Sequence, residues 1–208
     1  MKSVSCILCL LLTVAVFNTV FGVNQYITLY EDPDQQGANL TLNQHYANLS
    51  EHKPFLAEAS SFCAVGWIAF FTNVDYNLEG GIAFLVDNSD TAPRCQNRIF
   101  SNYNSMRYLG NHDTDLPGVS LYSKTSYHGS EVFVNENGTL SSDLTFPIYS
   151  LATTGWANYT FYEGTNLTGP SWCLLSSRKV HLVAELDISQ SIIGSVSMGC
   201  NSTNVMRL

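Results

Sequence analysis

Charge is scarce in this sequence. Only 12% of its 208 residues are Asp, Glu, Lys or Arg, against about 25% in an average soluble protein. Basic residues are the scarcest, with nine Lys and Arg against seventeen Asp and Glu, and the net charge is −8. No Lys/Arg cluster exists to face nucleic acid or an anionic membrane, so neither is an expected partner. Disorder is excluded too, because 45% of the chain is hydrophobic, and disordered segments need low hydrophobicity with high charge. Helical periodicity is also missing: beyond the N-terminal run, no stretch keeps a 3.6-residue apolar repeat over three turns. The signatures of chemistry are absent as well. The five histidines, His45, His52, His112, His128 and His181, form no HxxxH or HExxH pair, no GxSxG elbow occurs, and beyond the N-terminal run no CxxC spacing occurs. Gly80-Gly81 lacks the strand-to-helix setting of a phosphate loop. The expectation is therefore a non-enzymatic protein with no catalytic residue and no cofactor.

The N-terminus reads as an address. Lys2 precedes an apolar run from Ile7 to Phe17, and Val20 and Gly22 supply the small residues of a cleavage site. This pattern predicts a signal peptide over 1–22, cut after Gly22. The run is shorter than the ~20 apolar residues needed to span a bilayer. Secretion into the extracellular space implies an oxidising route in which disulfides form. Cys6 and Cys9 depart with the leader, leaving Cys63, Cys95, Cys173 and Cys200. Four cysteines allow three connectivities, of which the sequential one, Cys63–Cys95 and Cys173–Cys200, makes each bridge local to one half. Six sequons begin at Asn39, Asn48, Asn137, Asn158, Asn166 and Asn201. Each is a candidate glycan site in a secreted chain, and glycans would help keep so weakly charged a surface in solution.

Short β-branched and aromatic runs recur between Gly, Asn, Asp and Pro. Tyr26–Tyr30, Trp67–Phe71, Ile82–Val86, Val119–Tyr122, Glu131–Val134, Tyr159–Tyr162 and Trp172–Leu175 all read as strands, an all-β pattern of sandwich type. An internal repeat organises them. An aromatic residue is followed seven positions later by Gly: Tyr30 by Gly37, Tyr122 by Gly129, Tyr162 by Gly169. Phe71 opens a further copy, with Tyr76 five positions on as Tyr127 is in the third, but Leu78 holds the Gly position and Gly80-Gly81 follow, predicting a longer or bulged hairpin. A Ser trails each hairpin: Ser61, Ser105, Ser150 and Ser195. The three residue types fit one structural purpose. Gly permits the positive φ of a folded-over hairpin, the ring packs on it, and the hydroxyl bonds the exposed backbone. The copies fall into two pairs, separated by a polar, turn-rich stretch from Gly110 to Gly118.

These residues resemble the βγ-crystallin family. Tyr30-Glu31 through Gly37 looks like its opening motif, and Trp67 before Phe71 is similar to the Trp that opens the second. Tyr122 through Tyr127 to Gly129 resembles the third, Tyr162-Glu163 with Gly169 the fourth, and Asn104-Ser105-Met106-Arg107 the close of a domain. Gln35 and Leu167 depart from the pattern by replacing the second aromatic, Phe71 by lacking a following Glu, and Leu78 by replacing Gly. The resemblance implies two Greek-key sandwich domains of two motifs each: domain 1 over 23–110, a linker over 111–118, and domain 2 over 119–208.

The family's calcium-binding branch carries two Asn/Asp, two variable residues, then Ser/Thr-Ser, an oxygen-ligand set suited to a hard cation. Here only half-motifs occur, at Ser101–Met106 with Asn102 and at Asp187–Ser191. The resemblance thus implies weak calcium binding at most and no assigned metal ligand. The leading expectation is a structural or interaction protein, a monomer or weak homo-oligomer with an extracellular protein or matrix partner. The alternatives are a calcium module with degenerate sites, or a defence protein such as a protease inhibitor or toxin component.

Overall fold

A computed structural model describes residues 22–81, 83–135, 144, 146–187 and 192–207. The leader up to Phe21, the Asn137 sequon and positions 188–191 of the second half-motif lie outside the described residues. The first half contains β1 (Tyr26–Asp32), β2 (Gln36–Leu42), a short helix α1 (Lys53–Glu58), β3 (Ser61–Phe71), β4 (Ala83–Asn88), β5 (Arg94–Asn97) and β6 (Ser105–Tyr108). The second contains β7 (Gly118–Tyr122), β8 (Glu131–Asn135), β9 (Ser150–Thr154), β10 (Tyr159–Tyr162), β11 (Ser171–Leu175), β12 (His181–Val183), β13 (Ser195–Met198) and β14 (Val205–Arg207). Among the described residues, all pairings are antiparallel except that of β14 with β11.

The long strand β3 explains how the first half closes. Its eleven residues carry no polar break after Ser61, and ten are buried. Residues 61–65 pair with β1, and residues 66–71 pair with β4. Gly66 sits at the junction with φ +100, where a Cβ would fall 2.5 Å from Gln25 Oε1. Gln25 itself is buried and fastens three segments: Oε1 accepts the Trp67 N–H, while Nε2 donates to the carbonyls of Leu109 and Asn111. Strand β5 follows β4 in sequence but pairs back with residues 61–64 of β3, and β12 likewise pairs with β9 rather than with its neighbour β11. This exchange of one strand between successive units is Greek-key topology.

Alternation along the strands builds three apolar clusters. Ile27, Leu29, Phe62, Ile68, Phe70 and Met106 fill the first half. Val119, Leu121, Leu151, Phe161, Trp172 and Val196 fill the second. The opposite faces of β3 and β7 are buried as well. Trp67, Ala69 and Phe71 point away from Ile68 and Phe70 and meet Tyr122, Tyr127, Ala152 and Val180 of the second half. A strand covered on both faces has no polar alternation, which is why Trp67–Phe71 reads as a continuous apolar run. The segment 111–117 is strapped on both sides: Thr114 is buried, its N–H donates to the Val23 carbonyl, and its carbonyl accepts the Gly155 N–H.

The four repeats share one clasp. The leading aromatic and the trailing Ser are cross-strand partners in every copy: Tyr30 with Ser61, Phe71 with Ser105, Tyr122 with Ser150, Tyr162 with Ser195. Each hydroxyl is buried and bridges two backbone groups of the folded hairpin. It donates to the carbonyl two positions after the aromatic (Asp32, Asn73, Lys124, Gly164) at 2.6 Å. It accepts the N–H five positions after it (Gln35, Tyr76, Tyr127, Leu167) at 2.9–3.1 Å. The residues that donate these N–H groups have positive φ, from 56° to 64°. Gln35 and Leu167 adopt this conformation as Tyr76 and Tyr127 do, so the clasp needs no second ring. Leu78 does not break it either. The second hairpin keeps the left-handed pair at Asp75 and Tyr76, then adds Gly80 and Gly81 at positive φ before β4 begins.

Replacing Ser150 by Ala strands the Tyr127 N–H and the Lys124 carbonyl together. The expected cost is ~1–3 kcal/mol of stability, read by denaturant unfolding. A variant within about 0.5 kcal/mol of the parent, the range of an ordinary surface substitution, would show the hydroxyl to be a bystander.

Candidate functional site: the contact between the two halves

Polar chemistry concentrates where the halves meet. Arg107, on β6, has its side chain fully buried. Its Nη2 donates to the Gly129 carbonyl at 2.6 Å, and its Nη1 lies 3.3 Å from Glu131 Oε2, both in the second half. Three rings enclose the guanidinium: Tyr76 at 3.9 Å, Tyr122 at 4.9 Å and Phe71 at 5.3 Å. Ring quadrupoles replace part of the lost hydration of a desolvated cation. The Gly129 N–H donates to the Tyr76 carbonyl, so the glycine spacing of the third repeat also serves this contact. A Cβ on Gly129 would sit 2.4 Å from Ser123 Oγ at φ +75.

Histidines ring this core without forming a reactive set. His45 Nδ1 lies 3.6 Å from Glu131 Oε2, and the His45 ring packs on Tyr108, which packs in turn on His112. Burial lowers the His45 pKa; the Glu131 charge raises it and Arg107 lowers it further. His128 packs edge-on to Phe71, and burial, then Arg107 and Lys124, lower its pKa. His181 is buried on β12, and its Nε2 accepts both the Ser177 and the Arg178 N–H. An imidazole nitrogen that accepts must be unprotonated, and burial, then Arg178, lower this pKa as well. Tyr127 is pushed up to about 12 by burial and by the Asp87 charge.

The cysteines join in sequence order. Cys63 on β3 bonds Cys95 on β5, and Cys173 on β11 bonds Cys200. The first bridge staples the exchanged strand to the sheet that receives it. Of the described sequons, Asn39, Asn48, Asn166 and Asn201 are exposed. Asn158 is half-buried: its Oδ1 accepts the Ser176 N–H, and the Thr160 hydroxyl of the same sequon lies between the Gly199 carbonyl and the Asn201 N–H.

At the first calcium half-motif, Asn102 is exposed. The neighbouring carbonyls of Ser101 and Tyr103 both accept from Lys53 Nζ, at 2.8 Å each. Asn104 spends its amide on the Thr72 carbonyl, and Ser105 serves the clasp. A lysine from α1 thus supplies the positive charge beside this half-motif. No group of three or more His, Cys, Asp or Glu is arranged to hold a metal among the described residues. Neither Lys53 nor the role of Arg107 was legible in the sequence, because their partners are distant and no local pattern marks them.

Two outcomes follow for measurement. Arg107→Ala leaves Glu131 uncompensated in a buried setting and should cost ~3–5 kcal/mol, whereas Arg107→Met combined with Glu131→Leu should recover much of it. Equal losses in both would remove the charge from the explanation. Histidines with folded pKa below their unfolded value of about 6.5 bind fewer protons folded than unfolded. Stability should therefore be full above that pH and decline as pH falls through the depressed values. His181→Gln, which keeps an acceptor, should flatten this decline between pH 7 and 5 in denaturant titrations. An unchanged slope would place the proton uptake elsewhere.

No family model matches the chain, and no curated protein matches it. Solved structures do. Geodin, a beta-gamma crystallin from Geodia cydonium, aligns over 85% of this chain and 99% of its own, with 15% identity and a TM-score of 0.62. Protein S, solved in solution in complex with calcium, aligns over 84% of this chain and 99% of its own at 16% identity, but its TM-score of 0.32 is too low to bear on the fold. With four clasped Greek-key hairpins, exchanged strands in both halves and the match to geodin, this chain has the βγ-crystallin fold.

Proposed function

We propose that the chain is a secreted, glycosylated, non-enzymatic βγ-crystallin-like protein with a structural or interaction role, built as two domains over 23–110 and 119–208. The observation that carries this reading is how its chemistry-bearing side chains are employed. Four serine hydroxyls hold hairpin backbone, His181 holds two backbone N–H groups, and Arg107 ties one half to the other. Groups that catalysis would need to present to a substrate are spent on rigidity instead. The two disulfides fit an oxidising compartment, and no helix among the described residues is long and apolar enough to cross a membrane. Four exposed sequons fit a glycan-bearing surface.

The metal-free form of this reading rests on Lys53. Its ammonium takes two carbonyl oxygens beside the half-motif at 101–106, and a calcium ion there would face a fixed positive charge.

The full chain expressed in secreting eukaryotic cells tests both parts. The medium should contain a protein that starts at Val23 and loses mass on N-glycosidase treatment. After chelation, its melting temperature should be the same with and without millimolar calcium. Retention inside the cell would sink the secreted reading, and a calcium-raised melt would transfer the conclusion to a calcium-binding module.

A further inference from the structure

A cleft of about 570 Å3 opens at one rim of the contact between the halves. Trp67, Asp87 and Ser89 line it from the first half, and the run Arg178–Leu182 lines it from the second. Ligand clefts typically measure ~300–1,000 Å3. Two strand ends of the sheets border it. Asp87 lies on β4, the terminal strand of the order β2-β1-β3-β4, and Leu182 lies on β12, the terminal strand of the order β12-β9-β7-β8. Among the described residues neither has a further strand beside it. A terminal strand keeps a row of unpaired N–H and C=O groups and is a template for another strand. Of the lining run 178–182, His181 and Leu182 belong to β12, and Arg178, Lys179 and Val180 come from the loop that leads into it.

Two opposite charges stand alone in this cleft. Among the described residues, neither the Asp87 carboxylate nor the Arg178 guanidinium has a hydrogen-bond or ion-pair partner; only their backbone groups are engaged. In a chain with so few charges, an unpaired one of each sign at a single cleft is a recognition feature. The loop that carries Arg178 is otherwise tied down. The Ser176 N–H is held by Asn158, and the Arg178 N–H by His181. Lys179 Nζ pairs with Asp115, and its carbonyl accepts the Trp156 N–H. Ligand binding would therefore order little that is not already ordered, which keeps the entropic cost low.

We infer that this cleft binds an extended peptide segment of a partner protein. The segment adds as a strand along the free edge of β12 and sets a basic side chain toward Asp87 and an acidic one toward Arg178. Val180, Leu182 and Trp67 supply the apolar wall. Strand addition gives the affinity through main-chain bonds, and the flanking charges give the sequence preference. An acidic sugar is the competing occupant; it would use Arg178 without needing the strand edge.

The test titrates isotope-labelled mature protein with two capped pentapeptides, Ac-Glu-Val-Thr-Val-Lys-amide and the same peptide with its charges exchanged. The neutral Gln-flanked peptide and glucuronate serve as comparisons. Saturable amide shifts at His181–Val183 and at the Trp67 indole are expected with at least one charged peptide, together with slowed exchange of the β12 amides. Affinity should fall at least about threefold for the neutral peptide and for Asp87→Asn and Arg178→Gln. Both variants should melt close to the parent at neutral pH, since neither side chain holds a hydrogen bond or an ion pair among the described residues. Three outcomes overturn the proposal: no saturable shift up to roughly 5 mM, which is weaker than any useful recognition; equal binding of the neutral peptide; or a response to glucuronate alone. None of these touches the structural reading, which stands on secretion and melting.

Discussion

A hairpin folded back over its own sheet turns an N–H and a C=O away from water, and an unpaired buried backbone group costs about as much as the chain gains from several good contacts. In this protein one serine hydroxyl answers both groups, and it comes from the last strand of the same Greek key. The hairpin cannot lie down until that strand is in place, and the strand's register is set by the aromatic opposite the serine. Apolar burial then follows from register. Once Phe71 faces Ser105 and Tyr122 faces Ser150, alternate residues of β3 and β7 are committed either to a half's own core or to the contact between halves.

That contact uses charge sparingly and encloses it well. A buried ion pair is a weak source of net stability because both ions lose their water. Arg107 offsets this with a backbone carbonyl and three aromatic faces, and together with the Gly129 N–H bond to the Tyr76 carbonyl it adds direction to a contact built largely of apolar packing. Lys53 does similar work within the first half, where it gathers two carbonyls from the loop before β6. In both places a single long cation closes a gap that the strands leave open.

The parts of the fold legible in the sequence were those that repeat or alternate. The aromatic, Gly and Ser spacings marked all four hairpins, and β1, β3, β4, β7, β8, β10 and β11 all carried β-branched or aromatic runs. Of the seven strands that escaped notice, β2 and β5 have a physical reason to look unlike strands. β2 is mostly exposed and reads Gln-Gly-Ala-Asn-Leu-Thr-Leu, and β5 is exposed along its whole length; an edge strand bears on little and so needs little apolar content. Helix α1 spans six residues, less than two turns, and is too short to show a period. Leu78 looked like a defect in the second repeat, yet the clasp there is intact, because the serine hydroxyl bonds the backbone two and five positions after Phe71 rather than the glycine position. The contact residues were the least visible. Arg107 and Glu131 are far apart in sequence and belong to different repeats, so no local window relates them.

The halves differ in how their two Greek keys are joined. In the first half, β3 runs without interruption through both sheets, so the last strand of one key is the first strand of the next. In the second half, the corresponding strands β9 and β10 are separated by a turn at Gly155–Asn158, where both Gly155 and Trp156 have positive φ. Partial opening is therefore unequal across the molecule. One key of the first half cannot fray without breaking a strand that the other key shares, which makes that half a single cooperative unit. The second half contains a natural parting line, and its sub-global openings begin there.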